Sequence, residues 1–222
     1  GLKLPNIWYV MQLSSLDKNN NPLDVMGATI PGAPGVLSGF NNYIAWGETN
    51  GEDDVSDFYE IEIDPNNPNY YIYDGKSHPF IIKEEEVYIR GSALEFPQIF
   101  VDTIRSTSHH GPIIIDSSNA SMAVFNRGIS AIYSDINLAF RWIAHDPTKE
   151  IKAFYDMNHA TNYSQFKEAL KSYQCPSQNF VYADISGNVA IHHNGKLPIR
   201  CEQYKKNILP GNSSDFIWSG FI

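Results

Sequence analysis

Between Glu48 and Glu60 the chain crowds six carboxylates, Glu48, Glu52, Asp53, Asp54, Asp57 and Glu60, around a Thr49-Asn50-Gly51 turn. Two kinds of chemistry follow from such a stretch. Where a strand breaks into a tight turn, a backbone N–H can lose its ladder partner and point at a developing anion. Carboxylates three apart, as at Asp54 and Asp57, can hold a hard cation such as calcium when carbonyl oxygens complete the shell. An ordinary turn and a solvated acidic loop account for the same residues without any chemistry.

The other reactive residue types form no recognisable catalytic motif. His109-His110-Gly111-Pro112 has no nucleophile in a G-x-S-x-G setting to pair with. His192-His193 sits on a predicted strand, and a zinc site would need further ligands. The two cysteines, Cys175 and Cys201, form no C-x-x-C; they could pair in an oxidising compartment or stay as free thiols. Asn179 and Asp184 are polar residues inside an apolar run, so if buried they must be hydrogen-bonded.

The elements that would position these residues are mostly strands. The stretch Gly27 to Glu60 opens on a turn-rich Pro31 to Gly35, becomes an apolar strand at Tyr43-Ile44-Ala45-Trp46 and breaks at Gly47. Strands are also predicted at Leu4 to Leu13, Asp24 to Ile30, Phe58 to Ile63, Tyr70 to Tyr73, Pro79 to Lys83 and Glu86 to Arg90. Asp74-Gly75 reads as a hairpin turn. Further strands are expected at Ile99 to Ser106, Ile113 to Ile115, Ile129 to Tyr133, Leu138 to Ala144, Asn179 to Asp184, Val189 to His193 and Phe216 to Phe221, with a polar loop at Ser117 to Ser121. Helical spacing appears only around Ala153, Phe154, Met157 and Ala160, and after Asn162, a candidate N-cap.

The composition bounds the answer. The chain has 222 residues, 42% hydrophobic and 18% charged, which suits one large globular domain over 1-222. A net charge of -9 argues against nucleic acid as a partner. No apolar run reaches the roughly 18 residues of a membrane span.

The order PG-x-PG, G-x-N-x-x-I-A-W-G-x-T-N and D-V-x-D-x-Y between Pro31 and Tyr59 resembles the penicillin acylase family, amidases of the N-terminal nucleophile hydrolase class. The likeness resumes at Gln178 to Asn188 and covers nearly the whole chain. It implies an α+β fold, the sheet-dominated part of an αββα sandwich. It implies that the Asn50 backbone N–H is one oxyanion-hole donor in the hydrolysis of a non-peptide amide. It implies a structural calcium held by Asp54, Asp57 and the carbonyls of Ser56 and Pro198, with further ligands from outside these residues. Ser38, Glu48 and Glu52 fall at or near the family's acyl pocket, and their polarity disfavours a phenylacetyl group.

The family's nucleophile is an N-terminal Ser whose own α-amino group is the base. Aligned on Gly1 to Pro5, it would lie roughly two dozen residues ahead of Gly1. The expectation is therefore an internal segment of a β subunit, inactive alone. Its partners would be the α subunit, the rest of the β subunit and a small amide substrate, and the family implies a periplasmic or extracellular setting. An exposed sheet edge would let the segment dimerise. The alternative is a non-catalytic, calcium-stabilised β-rich binding module on the same scaffold.

Overall fold

The computed structural model describes residues 6–16, 22–90, 96, 98–116, 136–204 and 207–222. The chain first lays down β1 (Tyr9–Leu16), β2 (Pro22–Thr29), β3 (Ser38–Asn41) and β4 (Ile44–Asn50). It continues through β5 (Ser56–Glu60), β6 (Tyr70–Tyr73), β7 (Lys76–Pro79), β8 (Ile81–Ile89), β9 (Gln98–Thr107), β10 (Gly111–Ile115) and β11 (Leu138–Trp142). Helices α1 (Glu150–His159) and α2 (Tyr163–Leu170) follow. Then come β12 (Gln178–Asp184), β13 (Val189–Asn194) and the short β14 (Pro198–Ile199), β15 (Leu209–Pro210) and β16 (Gly220–Phe221). The fold is α+β and dominated by sheet, as predicted. Its contacts gather into two compact units, Gly1–Asp54 with Asp146–Leu197, and Val55–His145 with Pro198–Ile222. Each unit is built from two separate stretches of chain, so no linker composition marks a boundary between them.

The first unit is a six-stranded sheet in the order β1-β2-β3-β4-β12-β13, antiparallel throughout. Side chains alternate across a strand, so each strand gives one row to each face. One row, with Leu13, Val25, Ile44, Trp46, Phe180 and Tyr182, packs on Ala153, Met157, Phe166 and Leu170 of the helices. The apolar spacing of α1 and α2 is what lets them cover this face. Asn162 caps α2 as expected, its side chain accepting from the Gln165 N–H at 3.0 Å. Asn158 on α1 receives the Val36 N–H and donates to the Val36 carbonyl, fixing the loop ahead of β3. The opposite face is open, with Val10, Phe40, Val181, Val189 and Ile191 exposed.

The second unit carries a six-stranded sheet in the order β15-β5-β11-β10-β9-β8 and the hairpin β6-β7. Its core holds Tyr59, Ile61, Tyr71, Phe80, Ile113 and Leu209. The β6-β7 hairpin turns on Asp74 and Gly75, both at positive φ (48° and 69°), as a two-residue turn requires. The two strands predicted at Pro79 to Lys83 and Glu86 to Arg90 are one strand, β8. Glu84, Glu85 and Glu86 run through it because β8 is the sheet edge, where charges face water. The closing strand predicted at Phe216 to Phe221 is a 3-10 turn at Ser214–Phe216 followed by β16. Ser213 starts that turn by accepting from the Asp215 N–H. The strand expected at Ile129 to Tyr133 and the loop at Ser117 to Ser121 lie outside the described residues.

Candidate active site

The Thr49-Asn50-Gly51 turn is the end of β4, held between β3 and β12. Asn50 is the register partner of Gln178, and the Gly51 N–H donates to the Ser177 carbonyl at 2.9 Å. That bond makes Gln178 and Asn50 a non-hydrogen-bonded pair, so the Asn50 N–H points away from β12. On its other side, β3 pairs only with Ala45 and Trp46 of β4 and stops short of Asn50. The Asn50 N–H therefore stands outside both ladders, as an oxyanion donor must. Its side chain has a separate task, accepting from the Glu52 N–H at 3.2 Å to close the turn. Gly51 is required here, because a Cβ would sit 2.9 Å from the Ser177 carbonyl oxygen and hydroxyl.

The three residues expected around an acyl pocket do not converge. Glu48 shares the helix-covered face with Ile44 and Trp46, opposite Phe180. Ser38 is on the open face, its hydroxyl 3.3 Å from where a Gly47 Cβ would be. Glu52 is exposed at φ 58°, in the turn itself. The two-residue period of a strand separates what the sequence places side by side. Glu48 Oε2 is buried without a hydrogen-bond partner, and desolvation pushes its pKa up to about 7.

Residues that sequence reasoning did not assign to the site lie beside Asn50. Asn179 donates through Nδ2 to the Asn50 carbonyl at 3.3 Å, and its Oδ1 is 2.8 Å from His193 Nδ1. His193 Nε2 is 2.8 Å from Asp53 Oδ2, an ion-pair distance without an aligned hydrogen bond. The signal for Asn179 was its polarity within an apolar run. For His193 it was the two-residue spacing from Ile191 on the same face.

The residues proposed as calcium ligands divide between the units, Asp54 ending the first, with Ser56, Asp57 and Pro198 in the second. Asp57 is buried, and its Oδ2 accepts from Arg200 Nε at 2.8 Å and Trp218 Nε1 at 2.5 Å. Both donors reach Oδ2, and the guanidinium gives this carboxylate a counter-charge with which a calcium ion would compete. Among the described residues no group of three or more His, Cys, Asp or Glu could hold a metal ion.

The His109-His110 pair serves packing in the second unit. His110 is fully buried, lies tilted against Tyr59 with ring centroids 4.4 Å apart, and has neither ring nitrogen hydrogen-bonded among the described residues. Burial, with His109 beside it, lowers its pKa to about 4. His109 lies 3.7 Å over Tyr73 and shares a hydrogen bond of 2.8 Å with the Tyr71 hydroxyl. Cys175 and Cys201 are free thiols. Among the described residues no helix is long and apolar enough to cross a membrane.

Comparison with known proteins identifies the family and the fold. A sequence model of the penicillin amidase family matches residues 1–222. Acyl-homoserine lactone acylase QuiP of Pseudomonas aeruginosa is 26% identical over 221 residues, 99% of this chain and 24% of that protein. QuiP of Pseudomonas syringae pv. syringae is 29% identical over 199 residues, 89% of this chain and 22% of that protein. Penicillin G acylase of Escherichia coli is 23% identical over 199 residues, 90% of this chain and 21% of that protein. The chain thus spans about a quarter of the length of the curated relatives it matches. The solved structure of a thermostable penicillin G acylase from Alcaligenes faecalis shares the fold, with a TM-score of 0.76 and 24% identity over 99% of this chain and 35% of that one. Matched from Gly1 to Ile222 and sharing the fold of a solved acylase, this chain belongs to the penicillin amidase family.

Proposed function

We propose that these residues form part of an amidohydrolase that cleaves a linear, non-peptide carboxylic amide by acyl transfer. Attack on the amide carbonyl makes a tetrahedral oxyanion, and the Asn50 N–H donates to it. The amine leaves with a proton, and water releases the acid from the acyl-enzyme. The nucleophile and its base are assigned to parts of the protein outside residues 1–222, the α subunit and the rest of the β subunit being the partners. Residues 1–222 alone are then inactive. The substrate class is an N-acyl amide with an aliphatic acyl chain, following the acyl-homoserine lactone acylases among the relatives.

The observation that carries this reading is a main-chain N–H left outside both ladders at the end of β4. Because it bonds to no strand, proline can replace Asn50 without breaking the sheet. In the whole protein Asn50→Pro is expected to lower kcat on an N-acyl homoserine lactone by about 100-fold or more, the cost of one oxyanion donor. Asn50→Ala keeps the N–H and is expected to retain most of the activity. Equal losses in the two variants would mean that the side chain matters and the main-chain N–H does not.

A further inference from the structure

One row of polar side chains crosses the open face of the first sheet at the end of β4. Thr49, Asn179 and His193 stand abreast on β4, β12 and β13, since Asn179 is the register partner of both others. Val181 and Ile191, next along the same face, are exposed. The Asn179 amide is committed at both ends. Its Nδ2 donates to the Asn50 carbonyl at 3.3 Å and lies 3.5 Å from Thr49 Oγ1. Its Oδ1 can only accept, so the His193 ring donates to it through Nδ1, at 2.8 Å. The other ring nitrogen returns to Asp53, three residues past Asn50, at 2.8 Å. Asn50, Asn179 and His193 thus form a hydrogen-bonded circuit beside the turn, with Asp53 at ion-pair distance from the far side of the ring.

The turn needs such a tether. The carbonyl of Asn50, like its N–H, is on the side of β4 away from β12, where no strand holds it. Gly51, next in the chain, is anchored through its N–H to Ser177. Glu52 then takes a left-handed conformation, φ 58°, that side chains other than glycine rarely adopt. The peptide that carries the Asn50 carbonyl is then held on one side by Gly51 and Ser177, and on the other only if something holds the oxygen.

We propose that Asn179 and His193 are positioning residues: Asn179 fixes the Asn50 carbonyl and His193, beside Asp53, fixes the Asn179 amide, so that the turn from Asn50 to Glu52 keeps the course that leaves the Asn50 N–H open to the reacting centre. This rests on the acyl-transfer reading above. The competing view is that the circuit only strengthens the β12-β13 hairpin.

The test uses the whole protein with Asn179→Ala, His193→Ala and His193→Asn, the last restoring a donor near the Nδ1 position. Each variant is assayed for kcat and KM on an N-acyl homoserine lactone, and for hydrogen exchange in the Gly47 to Asp53 segment. Asn179→Ala is expected to lower kcat about tenfold, within what loss of one oxyanion donor costs, with KM changed less than about twofold. His193→Ala should lower kcat severalfold and His193→Asn should recover most of it. A wild-type kcat in Asn179→Ala, a change confined to KM, or no recovery in His193→Asn would overturn the proposal. If the wild-type protein hydrolyses no acyl amide, the function reading fails by itself. Exchange then decides the tether: faster exchange at Asn50 to Asp53 in both Ala variants supports it, and unchanged exchange removes it.

Discussion

Glu48 shows what single residues of the acidic stretch do once folded. Its carboxyl points into the helix-covered core, and desolvation raises its pKa to about 7. A folded value above the unfolded one sets the sign. The stability linked to Glu48 is fully present below the ordinary carboxylate range and is lost as pH rises through about 7. Glu48→Gln is therefore expected to raise Tm relative to wild type at pH 8 and to leave it nearly unchanged at pH 5. Thermal scans at both values check this, and an equal shift at both would point to packing instead of charge. The sequence shows six carboxylates in one cluster, yet three of them have separate fates. Glu48 enters the core, Asp53 meets His193 and Asp57 meets Arg200. Which face a strand residue takes depends on register, and register is set by partners far along the chain. The end of the strand at Asn50 was legible because its cue, a strand breaking into Asn-Gly, is local. The circuit through Asn179 and His193 was not, because it exists only across three strands.

Elements with local signals were the ones legible in the sequence. The Asn162 cap, the Asp74-Gly75 turn and the β12-β13 hairpin depend on residues within a few positions of each other. β3 was missed, since Ser38-Gly39-Phe40-Asn41 has little strand propensity and becomes a strand only between β2 and β4. The cap gives a test at this scale. Asn162→Ala removes the acceptor for the Gln165 N–H and is expected to cost about 1 kcal/mol, read as a lower urea midpoint with unchanged slope. A change in slope would mean that α2 had become loose enough to alter what unfolds.

At the scale of the molecule, two expectations concern what binds it. Arg200 and Trp218 already satisfy Asp57 Oδ2, so added calcium or a chelator should leave Tm unchanged. A rise of several degrees with calcium would mean that Arg200 gives way to the ion. The open face of the first sheet exposes Phe40, Val181, Val189 and Ile191, enough apolar surface to favour association of residues 1–222 prepared alone. Sedimentation velocity is expected to show dimers that strengthen with salt, as the charge of -9 is screened. A monomer at every concentration and salt level would count against that.

The pairing of β4 with β12 has a consequence in time. The Asn50 to Asn179 contact joins residues 129 positions apart, and the longer stretch of the second unit, Val55–His145, is synthesised between them. A loop that long closes late, after the local hairpins have formed. On the ribosome β4 waits, unpaired along one edge, until β12 emerges, and until then the Asn50 turn has no anchor at Ser177. The turn at Asn50 is thus among the last features of this chain to assemble, so a nascent chain cut short anywhere before β12 carries Asn50 but not the contacts that hold it.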